Sequence, residues 1–221
     1  MLFPGGIEAT ANGVLIFSAA AAALYLIIVN QRPTPLRSVV KTMAVGFLAA
    51  LSFIEGGPVL LFAALLLSAV GDAFLSRDGE AMFLGGLASF LAAHLAYVGL
   101  FLGRGGGIAR LSDDGWRIGV AAAIAVAALV VMALVWRRVR PTLALPMLAY
   151  TLAAVAMSAA ALTLDRPWLV VGAVMFLASD ALLATERFLL SAVSPHRAWL
   201  RQLVWILYYV AQATITLSIL L

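Results

Sequence analysis

Eight long apolar runs, separated by short polar breaks, dominate the pattern of the chain. They lie at 13–29, 38–54, 58–76, 81–102, 117–136, 142–164, 167–186 and 202–220. Each run is close to the roughly 20 apolar residues that a helix needs to cross a bilayer, and none shows the alternation of a barrel strand. The pattern therefore predicts an all-α, polytopic membrane protein with about eight transmembrane helices.

The composition agrees with this prediction. Of the 221 residues, 65% are hydrophobic and 11% are charged, whereas a soluble domain carries about 25% charged residues. No gap between the runs is long enough for a soluble domain, so residues 1–221 are interpreted as a single integral membrane domain. No Lys or Arg precedes the first run. A cleavable signal peptide needs such a basic segment, so the first helix is expected to be retained.

The basic residues indicate an orientation. The formal net charge is +4, but the Lys and Arg residues stand in short loops, which favours contact with membrane lipids and excludes a nucleic-acid partner. Of the 14 Lys and Arg residues, 10 fall in the first, third, fifth and seventh connections, and 4 fall on the opposite side. The bias predicts a multi-pass protein of the inner or plasma membrane with both termini outside the cytoplasm.

Two segments of the chain resemble each other. Residues 65–75 read LLLSAVGDAFL and residues 173–183 read AVMFLASDALL, each with a small residue and then Asp late in an apolar run. A duplication would give two parallel four-helix repeats. Apolar helices also resemble one another by chance, so both interpretations stay open.

Asp72 and Asp180 are the two acidic residues that stand out within the predicted spans. A charged side chain inside a membrane helix costs about 2.5–3.5 kcal/mol on insertion scales and is a mark of function. Both belong to odd-numbered spans and lie about one turn before the same membrane surface, so we expect them to share a cavity that opens toward the cytoplasmic side. The alternative is that each is a helix-end residue or a helix–helix contact.

Further polar side chains occur in the spans. His94 and Tyr97 are three residues apart and share a helix face, although a lone histidine can equally be a neutral imidazole bonded to a neighbour. Tyr209 and Gln212 share a face in the last span, as do Tyr208 and Gln212. The tyrosines alone are also typical of an interfacial aromatic belt, but an amide well inside a span needs a partner.

Lys41 begins the second span, and the sequence favours a lysine that reaches the membrane surface with its ammonium group. The chain has no cysteine, so thiolate ligands and disulfides are excluded. Asp72, Asp180 and His94 can in principle supply metal ligands, but no histidine-rich motif supports a metal site. Neither a metal nor an organic cofactor is expected, and acid–base chemistry by the two Asp residues ranks above metal hydrolysis.

Four segments, in this order and spacing, resemble the YhhN-like lysoplasmalogenase family. They are LLLSAVGDAFL at 65–75, GLASFLAAHLAYV at 86–98, GAVMFLASDALLATERF at 172–188 and YYVAQATITLS at 208–218. Lys41 also matches a lysine of that family, although Thr42 stands where the family usually has proline.

The resemblance implies an eight-helix enzyme that hydrolyses the vinyl ether bond of lysoplasmalogens. Its substrate would be a lysoplasmenyl-choline or lysoplasmenyl-ethanolamine lipid, and its products a fatty aldehyde and a glycerophospho-alcohol. The acidic positions of the family fall on Asp72 and Asp180. Its polar supporting positions fall on Lys41, His94, Tyr97, Tyr209 and Gln212.

This chemistry also suits the residues. Vinyl ether hydrolysis begins with proton transfer to carbon and passes through an oxocarbenium-like cation, so one acid that donates a proton and one carboxylate that stabilises the cation and activates water can catalyse it. The alternative function is a small-solute or proton-coupled membrane transporter that uses the paired Asp residues. Transporter sites usually have broken helices at matching positions, whereas Pro146 has no counterpart in the second span.

Overall fold

The computed structural model describes residues 2–4, 6 and 10–221 of the chain. Within them the chain forms eight α-helices and no strand. The helices are α1 (Thr10–Ile28), α2 (Pro35–Ile54), α3 (Val59–Leu75), α4 (Glu80–Leu102), α5 (Gly115–Trp136), α6 (Pro141–Ala161), α7 (Pro167–Ala184) and α8 (His196–Leu220). A 3-10 helix, Ile108–Ser112, precedes α5, and a π-helical turn, Thr185–Leu189, ends α7.

Among the described residues, seven helices are long and apolar enough to cross a membrane. The eighth, α3, is apolar but has 17 residues, which corresponds to about 25 Å at the rise of an α-helix. The prediction of an all-α polytopic membrane protein is therefore confirmed.

Proline and side-chain contacts explain several helix boundaries. Pro35, Pro141 and Pro167 stand in the first turns of α2, α6 and α7, where the missing N–H costs nothing. The last helix begins at His196, earlier than the apolar run at 202 indicated. Two arginines in that added segment form ion pairs with Glu186. Their charges, which in the sequence indicated a loop, are therefore accommodated within a helix.

The helices of the first half pack in chain order, α1 on α2, α2 on α3 and α3 on α4, and α4 then packs against α6. In the second half α7 and α8 form the most extensive pair, and α8 returns to α1 and α2. The least buried of the long apolar helices is α5, whose buried residues are Arg117, Ile124 and Val135. The pairs α3–α4 and α7–α8 occupy equivalent places in the proposed repeats, and the duplication itself stays a prediction.

Glycines lie at the contacts between α3 and α4 and between α7 and α8. A Cβ atom at Gly71 would lie 2.6 Å from the Phe90 ring, and one at Gly172 would lie 2.7 Å from the Ile215 side chain. Small residues of this kind let membrane helices approach closely. They therefore set the distance between α3 and α4 next to Asp72, and between α7 and α8.

Candidate active site

A buried ion pair lies between α2 and α3. Lys41 Nζ is 3.0 Å from Asp72 Oδ1, and the hydroxyl of Tyr208, on α8, donates to Asp72 Oδ2 at 2.8 Å. The ammonium group also lies 5.8 Å from the centre of the Tyr25 ring and 6.0 Å from that of Trp205. Asp72 is only 1% exposed, so its charge depends on Lys41 and Tyr208 rather than on water.

The second acidic residue stands beside the histidine. His94 Nε2 lies 3.5 Å from Asp180 Oδ2, which is longer than a direct hydrogen bond. Both atoms are buried, and neither has a hydrogen-bond partner among the described residues. His94 Nδ1 lies 2.7 Å from the Phe90 carbonyl oxygen. Because a carbonyl only accepts, Nδ1 carries a proton, and Nε2 is the ring nitrogen that faces the Asp180 carboxyl group.

Aromatic rings pack around the two acidic groups. The Phe176 ring lies 4.7 Å from the His94 ring and 5.3 Å from the Tyr208 ring, measured between centres. Tyr150 packs edge-on against His94 at 5.1 Å, and Phe90 against Tyr208 at 5.6 Å. These rings hold the polar groups in place and lower the polarity around them.

A polar cavity of about 450 Å³ contains both carboxylates in its wall. Tyr150, Ser179 and Tyr208 line the cavity near them. Its mouth is formed by the connections α1–α2, α3–α4 and α7–α8, which lie at the same end of the helix bundle. The sequence predicts that this end faces the cytoplasm.

An apolar cavity of about 370 Å³ adjoins the polar one. It is lined almost entirely by aliphatic and aromatic side chains of α4, α5, α6 and α7. The two cavities share Phe90, Tyr150, Asp180, Leu183 and Arg187, among other residues. Asp180 therefore stands at the junction between a polar space and an apolar one.

Only some of the site residues predicted from the sequence lie at the polar cavity. Asp72, Asp180 and Lys41 line the polar cavity, and His94 contacts it through Asp180. Lys41 does not extend to the membrane surface as the sequence favoured, because Asp72 binds its ammonium group in the interior.

The other three predicted residues make contacts outside the cavity walls. The Tyr97 hydroxyl donates to Gln212 Oε1 at 2.5 Å, and both residues are fully buried. The Tyr209 hydroxyl lies 2.9 Å from Ser18 Oγ. Ser18 donates its own proton to the Ala44 carbonyl at 2.6 Å, so Tyr209 is the donor in that contact. These contacts join helices and give Gln212 Oε1 a donor, while the buried Gln212 Nε2 has no partner among the described residues.

Sequence reasoning did not single out Tyr150 and did not give Tyr208 a role of its own. Tyr208 shares its helical face with Gln212 as well as Tyr209 does, so spacing cannot distinguish the two tyrosines. Tyr150 lies four residues after Pro146, the proline inside α6. The signal in the sequence that could have pointed to Tyr150 is a tyrosine one helical turn after a proline inside a span.

The structure divides the possible metal ligands between two places. Asp72 is bound by Lys41, whereas Asp180 stands beside His94. Within the described part of the chain, no three His, Cys, Asp or Glu side chains come close enough to hold a metal ion.

The fold and the site define an integral membrane protein with a buried acidic site between a polar and an apolar cavity. The chain belongs to the YhhN family, whose model matches residues 36–219. The resemblance deduced from the sequence is thereby confirmed.

Two mammalian proteins are similar to most of this chain. The human "Lysoplasmalogenase TMEM86B" is 35% identical over 175 residues, which cover 78% of this chain and 69% of the relative. The Sus scrofa protein of the same name is 34% identical over 209 residues, 92% of this chain and 84% of the relative.

A "Lysoplasmalogenase" of Mycobacterium tuberculosis is 36% identical over 135 residues, which cover 59% of this chain and 50% of the relative. No solved structure matches the chain significantly. The relatives bear the name of an enzyme, in agreement with the prediction of a lysoplasmalogenase-like enzyme.

Proposed function

We propose that this protein hydrolyses the vinyl ether bond of lysoplasmalogens, releasing a fatty aldehyde and a glycerophospho-alcohol. The observation that carries the proposal is the place of Asp180, at the junction of the polar and apolar cavities. In a lysoplasmalogen the vinyl ether likewise joins an apolar chain to a polar glycerophosphate. The names of the relatives support the same substrate class.

The substrate fits the two cavities in one direction. Its single hydrocarbon chain lies in the apolar cavity between α4, α5, α6 and α7, and its glycerophosphate lies in the polar cavity. Ligand sites of a few hundred Å³ with a small number of polar groups are typical for molecules of this size. This arrangement brings the vinyl ether next to Asp180 and Tyr150.

The His94–Asp180 pair donates the proton that starts the reaction. Its two facing atoms, His94 Nε2 and Asp180 Oδ2, bind no other group among the described residues, so a proton placed between them is available to the substrate. The proton adds to the vinyl carbon remote from the oxygen, and the carbon bonded to oxygen becomes part of an oxocarbenium ion. General acid catalysis of this kind contributes about 10²–10⁴-fold in rate.

Asp72 stabilises the cation and positions water. Lys41 and Tyr208 bind its two oxygens and keep it a carboxylate, and an oriented negative charge in a site of low polarity stabilises a developing cation strongly. Water adds to the oxocarbenium carbon and returns a proton to the His94–Asp180 pair. The bond from the hemiacetal carbon to the glycerol oxygen then breaks, as the glycerol oxygen takes a proton from the His94–Asp180 pair and the hemiacetal hydroxyl gives one back. The products are the aldehyde and the alcohol, and one water is consumed.

Aldehyde release from lysoplasmenylethanolamine by the purified protein in detergent tests the proposal. Asp180→Asn and Asp72→Asn should each slow release about 10²–10⁴-fold, and the double substitution should cost little more than the slower single one because the groups act together. Near wild-type release from well-folded Asn variants would remove both residues from the mechanism. A wild-type protein that releases no aldehyde, yet moves protons or solute across liposomes, would favour a transporter.

A further inference from the structure

The polar cavity has an excess of positive charge. Seven Lys and Arg residues and four Asp and Glu residues line it. The excess points to an anionic ligand, which would bind the basic groups that have no acidic partner.

Three of the basic side chains already have acidic partners. Lys41 is paired with Asp72 at 3.0 Å. Glu186 binds Arg197 at 2.6 Å and Arg201 at 3.1 Å. A cation that is neutralised in this way attracts a further anion weakly, so these residues are poor candidates for the main contact.

Arg37 is different, because no acidic side chain among the described residues pairs with it. Its Nη2 atom donates a long hydrogen bond of 3.4 Å to the Tyr25 hydroxyl. Its Nε atom is buried and has no partner in the described structure. Arg37 precedes Lys41 by one helical turn, so it lies on the same face of α2, closer to the cavity mouth.

Arg187 is the second free guanidinium in the wall. It stacks over the Phe83 ring, 3.9 Å from the ring centre, and within the described residues it makes no ion pair. It lines both cavities, as Asp180 does, and follows Asp180 by about two turns. Arg32 and Arg77 also line the mouth and are exposed, as Arg187 is. They do not border the apolar cavity, however, whereas Arg187 does and is held against the Phe83 ring.

We propose that Arg37, on α2, and Arg187, in the π-helical turn that ends α7, together bind the phosphate of the lysophospholipid in the polar cavity. Guanidinium groups bind phosphate oxygens through paired N–H donors, and the Nε of Arg37 is such a donor. Lys41 has a separate task, which is to hold Asp72. The proposal rests on the proposed function for the identity of the lipid, and it makes these two arginines the determinants of selectivity for phosphate-bearing substrates.

Binding measured without turnover tests this assignment. The probe is a lysophospholipid with a saturated alkyl ether, which lacks the reactive double bond, and it is compared with the alkylglycerol of equal chain length that lacks phosphate. Arg37→Gln and Arg187→Gln should each weaken binding of the phospholipid about 10- to 100-fold, the range expected for loss of a charged hydrogen bond. Binding of the alkylglycerol should stay within about twofold.

Two further variants sharpen the comparison. Arg137→Gln removes an exposed arginine of the same membrane side that lines neither cavity, and it should leave both affinities unchanged. Arg37→Lys keeps the charge but loses the planar group, so it should bind the phospholipid with intermediate affinity. It also serves as a folding control if the Gln variant is unstable.

Equal weakening of both ligands would overturn the assignment, since it would indicate a structural role. Unchanged phospholipid binding in the Gln variants would overturn it as well. Inorganic phosphate that binds wild-type protein as tightly as the lipid would point to a free anion instead. The binding measurement does not depend on aldehyde release. A protein that binds the phospholipid through these arginines but hydrolyses no lysoplasmalogen would contradict the proposed function and not this assignment.

Discussion

Lys41 Nζ lies 3.0 Å from Asp72 Oδ1, in the interior of the helix bundle rather than at its surface. The lysine side chain is 13% exposed and the aspartate 1%. Buried pairs of this kind are weak evidence for stability by themselves, but removal of one partner leaves an uncompensated buried charge. The role of Lys41 that the structure supports is therefore to hold the Asp72 carboxylate.

Substitution of Lys41 should destabilise the fold. Lys41→Met leaves the Asp72 carboxylate with Tyr208 as its remaining partner, and we expect a loss of about 3 kcal/mol in the free energy of unfolding. The double variant Lys41→Met/Asp72→Asn removes both charges and should regain much of this loss. Thermal unfolding in detergent measures both, and a double variant less stable than Lys41→Met would contradict a charge-pairing role.

The neighbouring tyrosines of α8 offer a matched comparison. Tyr208→Phe removes the hydroxyl that donates to Asp72, so aldehyde release should fall about 10- to 100-fold. Tyr209→Phe removes a contact with Ser18 outside the cavity and should cost about 0.5–1.5 kcal/mol of stability with turnover near that of the wild type. The reverse order of activities would support the role that the family resemblance implies for Tyr209.

These tyrosines show where prediction from the sequence ends. Apolar run length and a charge inside a span are local properties, so the eight helices could be predicted, and Asp72 and Asp180 could be singled out as candidate site residues. Which side chain meets which depends on the rotation and separation of helices far apart in the chain. The pairing of Lys41 with Asp72, and the hydrogen bond that Tyr208 rather than Tyr209 makes to Asp72, follow from that packing and have no local signal.

The orientation of the cavity mouth can be tested by cysteine labelling, because the chain has no cysteine of its own. Asp78→Cys places a thiol at the mouth, in the α3–α4 connection, and Asp113→Cys places one between α4 and α5, at the other end of the bundle. The distribution of basic residues predicts that a membrane-impermeant maleimide labels Asp113→Cys in intact cells and Asp78→Cys only after lysis. The opposite labelling pattern would show that the cavity mouth faces the outside of the cell.

The apolar cavity should set the preferred length of the hydrocarbon chain. Ala127, on α5, lines this cavity, whereas its neighbour Val126 is 59% exposed and does not. Ala127→Phe should displace about two methylene groups of a long chain, each worth about 0.8 kcal/mol on burial, which together correspond to roughly a 15-fold loss in kcat/KM. A substrate shorter by several methylenes should lose little, and Val126→Phe should leave both unchanged. The measurement is kcat/KM for substrates of a series of hydrocarbon chain lengths. An equal loss of kcat/KM at every length in Ala127→Phe would show that the hydrocarbon chain binds outside this cavity.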